Sequence, residues 1–315
     1  MRIIEQENFN KTIKENFDYD FDINERGLYV ISISASCRSG KQINERGGED
    51  LRIEIDGQSF REILPKKNIQ LYNVPASWNG TKLKGLKKTI IFILWLEKGK
   101  HKITFVPHKG AKIEDINIEF VENTSKIEFN SDEKAEDGDR RPWYTFVLIN
   151  VPLKQIKSKA TTKWRFLDSD DVKLIIDGKT QKPEGFFSKW KNWLWSGSIF
   201  KKLFQNETQT KIIELNLSQG IHYIEFHADR MPILHKVEID FGKEIKVKRV
   251  PTVDDPEWTG NFDDDTKQML LARLLLGEAE DQSKETKIWI AGSVLNRVKA
   301  NAWDNTIYEV IQAYK

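Results

Sequence analysis

The chain contains a single cysteine, Cys37, in 315 residues. Neither an internal disulfide nor a thiolate zinc cluster can therefore form within it. Long hydrophobic runs are also missing. The longest, residues 90–96, falls far short of the roughly 20 residues that a membrane helix needs, so no membrane partner is expected. Met1 leads into a charged segment without an apolar signal core, and nothing in the sequence itself directs secretion. There is no excess of one charge either. Fifty basic against 48 acidic side chains leave a net of +2, which disfavours a nucleic-acid partner, for which a strongly basic domain is expected. No Gly-x-Ser-x-Gly nucleophile turn and no His-Glu-x-x-His pair occurs, and residues 80–85 leave the phosphate-loop pattern at Leu86 and Lys87. No cofactor and no metal site is expected. Aromatic residues, by contrast, are plentiful, and their large buried area excludes a disordered chain.

What is present is a repeat. GKHKITF (99–105) returns as GIHYIEF (220–226), an offset of 121 residues, and DLRIEIDG (50–57) returns at the same offset as DVKLIIDG (171–178). Ile113, Ile116, Ile118 and Phe120 match Leu234, Val237, Ile239 and Phe241, again at 121. Trp78-Asn79-Gly80 matches Trp195-Ser196-Gly197 at 117, which implies a small difference in loop length. Two copies of one domain are expected, over residues 1–125 and 126–246, with the charged stretch 131–139 read as their connection. Each copy alternates apolar and polar residues, as in LYVISISA (28–35), and the Asp56-Gly57 and Asp177-Gly178 pairs are hairpin signals. The expected fold for each copy is an antiparallel β-sandwich, a jelly roll.

The order GLYVISISA, DLRIEIDG, a Trp-Gly loop, LEKGKHKITF and AKIEDINIEF resembles the galactose-binding-like jelly roll of many carbohydrate-binding modules. That resemblance implies sugar contact through exposed aromatic rings, whose faces stack on the C–H faces of sugars. Trp190, Trp193 and Phe187 have no counterparts in the first copy and are the candidate stacking residues; covering a sandwich edge is their structural alternative. Trp78 and Trp195 match each other and read as core anchors. His101 and His222 occupy equivalent turns and read as local hydrogen-bonding groups.

Beyond a linker at residues 247–262, the pattern turns helical. Residues 251–315 carry seven basic and twelve acidic side chains, against a net of +7 for the rest of the chain. Asp263, Asp264 and Asp265 are N-cap candidates for a first helix, on which Leu271, Leu274, Leu275 and Glu278 fall at i, i+3, i+4 and i+7. A second helix is expected from Ser283, and a third from Thr306 with Glu309 as its capping-box partner. The segment LLARLLLGEAEDQSKETKIWIAGSVLNRVKANAWDNTIYEVI resembles the opening of the SleB-type, spore cortex-lytic, cell wall hydrolase family. The resemblance implies an α-helical, lysozyme-like catalytic domain over residues 263–315, incomplete because the family continues past its third helix. It places the catalytic acid on Glu278, with Asn296, Arg297 and Arg273 as cleft support. The implied activity is peptidoglycan cleavage, by lytic transglycosylation of the bond between N-acetylmuramic acid and N-acetylglucosamine, and with it a wall or extracellular location. For that chemistry the Glu278 carboxyl must stay protonated among apolar neighbours. The alternative is a non-catalytic protein that holds to wall polysaccharide.

Overall fold

The computed structural model describes residues 1–62, 70–183, 192–242, 251, 256–258, 262, 265–300 and 307–312. The first copy comprises β1 (Arg2–Ile13), β2 (Phe17–Ile23), β3 (Gly27–Ser36), α1 (Gly40–Ile43), β4 (Asp50–Ile55), β5 (Gln58–Ser59), β6 (Ser77–Asn79), α2 (Gly80–Leu83), β7 (Lys87–Leu96), β8 (Gly99–His108) and β9 (Ala111–Phe120). The second comprises β10 (Lys126–Lys134), β11 (Arg141–Ile149), β12 (Leu153–Thr161), β13 (Asp171–Ile176), β14 (Lys179–Thr180), β15 (Trp195–Ser196), α3 (Ile199–Phe204), β16 (Thr208–Leu217), β17 (Ile221–Asp229) and β18 (Ile233–Asp240).

The repeat is visible in the strand order. The first copy pairs β1-β9-β3-β7 in one layer and β2-β8-β4-β5 in the other; the second pairs β10-β18-β12-β16 and β11-β17-β13-β14 in the same sense. Both hairpins after β4 and β13 turn through Asp and Gly with positive φ at both positions, 50° and 78° in one and 48° and 76° in the other. That is the primed turn whose twist matches its strands. Each turn aspartate is then held by its histidine: Asp56 Oδ2 lies 2.7 Å from His101 Nδ1, and Asp177 Oδ2 lies 2.8 Å from His222 Nδ1. Trp78 and Trp195 are fully buried, and their indole N–H groups donate to the carbonyls of Lys88 and Gln209 at 2.8 and 3.0 Å.

The copies are fused. Strand β7 pairs in parallel with β11, Tyr144 opposite Thr89 and Phe146 opposite Ile91, so one layer of each sandwich joins into a continuous nine-stranded sheet. The two remaining sheets pack on opposite faces of it: Phe60 meets Phe92 on one face, ring centroids 5.1 Å apart, and Phe129 meets Phe146 on the other at 5.0 Å. Central strands covered on both faces need apolar residues without alternation. That is why the run 90–96 and the whole of β11 are almost entirely buried. The stretch 131–139, read as a connection, instead begins inside β10, which runs to Lys134 with a register shift between Asn130 and Glu133.

The structure divides into two compact units: residues 1–21, 27–96 and 101–245, and a second of Asp22–Arg26, Glu97–Lys100 and residues 246–315. The described helices of the second unit are α4 (Lys267–Ala279), α5 (Lys284–Ala300) and α6 (Ile307–Gln312). Their common core is four buried residues, Leu270, Val294, Ile307 and Val310. This corrects the expectation of a lysozyme-like catalytic domain, and with it the SleB-type resemblance. Among the described residues the chain is dominated by strands in three sheets, and the C-terminal helices gather around a small core in place of a large α-helical domain. The helix cap is also corrected: Thr266, not an aspartate, accepts from Met269 N at 3.1 Å, while Asp265 binds Arg273. The predicted start of α6 at Thr306 lies outside the described residues. No described helix is long and apolar enough to cross a membrane.

Candidate functional site

The fusion of the copies creates a groove. Strand β17 lies beside β11 in the nine-stranded sheet, and its residues Glu225 and His227 point to the face that carries Lys88, Ile90 and Thr145. The first copy's outer sheet covers only part of that face. Its loop at residues 73–79 and helix α2 overhang the remainder and leave a groove of about 300 Å³. Asn73, Asn79 and Lys82 line one wall, Glu225 and His227 the other, with Ile175 and Pro142 between them.

Lys88 lies at the base, only 2% exposed, and donates to the carbonyls of Pro75 at 2.6 Å and Ser77 at 2.8 Å. It straps the overhanging loop to the sheet. Burial pushes its pKa down to about 7; the Glu225 carboxylate opposes that shift and the Lys82 charge reinforces it. Burial pushes the Glu225 carboxyl up, but the hydrogen bond from His227, Nε2 to Oε2 at 3.1 Å, and the charges of His227, Lys88 and Lys82 together hold it below the usual range. The groove therefore presents an ionised acceptor, an ammonium donor on Lys82, an imidazole and the Asn73 amide within one wall-to-wall span. The Asn79 amide caps α2, accepting from Lys82 N at 3.2 Å, and donates to the Tyr72 carbonyl at 3.4 Å.

A larger cavity, about 510 Å³, lies on the opposite face, between the nine-stranded sheet and the sheet containing β10 and β18. Some of its polar side chains are engaged with residues beside it, while Asn117 Oδ1 in its lining is buried without a hydrogen-bond partner. Ser34 Oγ and Thr89 Oγ1 are 2.9 Å apart, and the Tyr144 hydroxyl donates to the Glu133 carboxylate.

The residues predicted from sequence are distributed unevenly. Trp193 is half-buried, and Lys173 Nζ lies 4.9 Å from its ring centre. Lys173 is the register partner of His227, so this indole belongs to the neighbourhood of the groove. Trp190 and Phe187 fall outside the described residues. Glu278 stands exposed on α4; Leu270 faces the helical core, while Leu276 is 62% exposed. Asn296 and Arg297 are exposed on α5. The Arg273 guanidinium is taken up by Asp265, at 2.7 and 3.1 Å, and by the carbonyl of Pro256 at 2.9 Å. These four side chains line no described cavity. Among the described residues no cluster of three or more metal-ligating side chains occurs.

The sequence reading missed Lys88, Glu225 and His227. The signal was departure from the repeat. At the shared offset Glu225 and His227 replace Thr104 and Val106, and Lys88 stands where the second copy has Gln209.

No protein-family model matches the chain, and no curated protein does. This too removes the SleB-type assignment. Three solved structures are distant likenesses. A recombinant peptide N-glycanase F is 8% identical over 77% of this chain and 97% of its own, with a TM-score of 0.25. The insecticidal delta-endotoxin Cry8Ea1 from Bacillus thuringiensis is 9% identical over 75% of this chain and 54% of its own, at 0.22. The M60 catalytic domain with the CBM51-1 and CBM51-2 domains from Clostridium perfringens ZmpB is 7% identical over 71% of this chain and 34% of its own, at 0.18. No family is assigned by scores this low.

Proposed function

We propose that the fused β-sandwiches hold a cell-wall polysaccharide in the groove between their copies, attaching the chain to peptidoglycan without cleaving it. The observation that carries this reading is the set of side chains facing each other there: Asn73, Asn79 and Lys82 against Glu225 and His227, around a base closed by Lys88. A sugar hydroxyl is donor and acceptor at once, so a glycan is best met by a wall that mixes donors and acceptors. A phosphate ligand would ask for donors alone. The volume of about 300 Å³ sits at the lower end of small-ligand sites, suited to one or two rings of a chain that runs on through an open groove. Trp193, beside Lys173 at the His227 side, offers an apolar face for a further ring.

The test is retention of the chain on insoluble peptidoglycan, compared with Glu225→Gln, His227→Ala and Trp193→Ala variants. Glu225→Gln and His227→Ala remove wall groups without opening the core and should each lower retention about tenfold, the loss of one or two good hydrogen bonds. Undiminished retention of both would reject the groove. Retention lost only in Trp193→Ala would move the site to the aromatic face.

A further inference from the structure

Exposed apolar side chains are common, but large ones gathered in one place call for a partner. At one end of the second copy, Phe166 and Leu167 are 85% and 91% exposed in the loop between β12 and β13, and α3 exposes Ile199, Phe200, Leu203 and Phe204 by 51% to 73%. Loop and helix are neighbours. A Cβ built on Gly197, just before α3, would meet the Lys163 carbonyl at 2.4 Å, and Lys202 Nζ lies 5.2 Å from the centre of the Trp164 ring. The fold does not demand this surface. In the first copy the equivalent helix α2 carries Thr81, Lys82 and Leu83, and its leucine is buried.

The charges around the tip are unequal. Asp168 is paired with Arg230, Asp170 is buried against Arg165, and Glu207 accepts from Trp164 N. Lys163 and Lys202 remain exposed beside the apolar side chains, while Lys201 Nζ donates to the Ser196 carbonyl at 2.7 Å.

We infer that this tip is a peripheral docking surface for a membrane rich in anionic lipid headgroups. Phe and Leu side chains exposed by 57% to 91% suit the acyl boundary, while Lys163 and Lys202 meet the headgroup charge. The exposed Lys163 and Lys202 beside the apolar side chains complement an anionic surface. A search for long apolar runs does not detect such a surface, since the insertion is shallow and its residues come from two separate segments.

The experiment is cosedimentation of the full chain with vesicles of phosphatidylcholine alone and of phosphatidylcholine with phosphatidylglycerol, in a ratio of roughly 3:1. The parent chain should sediment with the anionic vesicles and less with the neutral ones, and added salt should weaken binding. The double variants Phe166→Ser with Leu167→Ser, and Phe200→Ser with Phe204→Ser, should each weaken binding about tenfold or more, from the apolar area no longer buried. Lys163→Gln with Lys202→Gln should erase the preference for anionic vesicles. Ile3→Ser, an exposed apolar residue of the first copy, should change nothing. The inference is overturned if the parent stays in the supernatant with both vesicles, or if the two apolar double variants bind as the parent does. It is equally overturned if the tip variants only convert a dimer to a monomer, or if they lose binding together with their circular-dichroism spectrum. Peptidoglycan retention reads the groove separately, so either result can fail alone.

Discussion

Replacing Lys88 by methionine tests the interior of the groove with a sign that is fixed in advance. The side chain is 2% exposed and faces Glu225 and His227 from β17, Lys82 from α2 and Cys37 at the end of β3. Burial lowers its pKa to about 7, against about 10.4 for a lysine in an unfolded chain. Between these values the unfolded state binds the proton and the folded state does not, so folding stability rises with pH. Below about pH 7 both states are charged, and the folded chain carries the full burial cost of the ammonium. Above about pH 10 both are neutral and the cost is gone. The slope in the window is about 1 kcal/mol per pH unit, and the whole effect is on the order of 4 kcal/mol. Methionine fills similar volume and cannot titrate, but it leaves the carbonyls of Pro75 and Ser77 without their donor, a loss of about 1 to 3 kcal/mol each that hardly depends on pH. Urea unfolding of both proteins at several pH values from 6 to 10 separates the two contributions. The stability of the parent relative to Lys88→Met should rise by several kcal/mol across the window. A difference that stays constant with pH would refute the buried, partly neutral lysine.

Other expectations follow from single positions. Burial, with Asp229 and Asp168 adding to it, raises the Asp171 carboxyl to about 7; its stability cost therefore grows as pH rises from about 4 to 7. Asp171→Asn keeps an oxygen for Gly197 N–H and should stabilise the chain at pH 8 by about 1 to 2 kcal/mol in thermal unfolding, and not at all at pH 3. A Cβ on Gly80 would lie 2.2 Å from the Arg38 carbonyl and 2.4 Å from that of Glu49, both backbone atoms, so Gly80→Ala should cost more than about 2 kcal/mol in chemical denaturation, whereas a change within 0.5 kcal/mol would show that the loop yields freely. Glu278→Gln, at an exposed helical position, should alter stability by less than about 0.5 kcal/mol in the same assay; a larger loss would mean that the side chain is engaged.

The sandwich was legible because the fold uses the same solution twice. Asp56 with His101 and Asp177 with His222 close the same turn, and Trp78 and Trp195 fill the same core position, so their spacing survives in the sequence. The joining of β7 to β11 was not legible. It is a pairing between strands some 55 residues apart, and the only trace is that both are apolar without alternation. The groove depends on that junction, so its residues could be found only as exceptions to the repeat: Glu225 and His227 against Thr104 and Val106. At the C-terminus, helical spacing placed α4 and α5 well, yet spacing alone does not say which stripe meets a neighbour. Leu270 and Leu274 turn to the small core, and Glu278 is left in solvent. Motif likeness over 45 residues carried the expectation of a catalytic fold further than the packing of those residues sustains.

The most direct measurement is calorimetric titration of the full chain with soluble, enzymatically released peptidoglycan glycan strands, in parallel with a Glu225→Gln, His227→Ala double variant. The expected result is saturable binding by the parent and a loss of affinity of about a hundredfold or more in the variant, as two hydrogen-bonding groups leave one wall. Equal affinities, or no heat from the parent at strand concentrations where the intact wall retains it, would contradict polysaccharide binding in the groove.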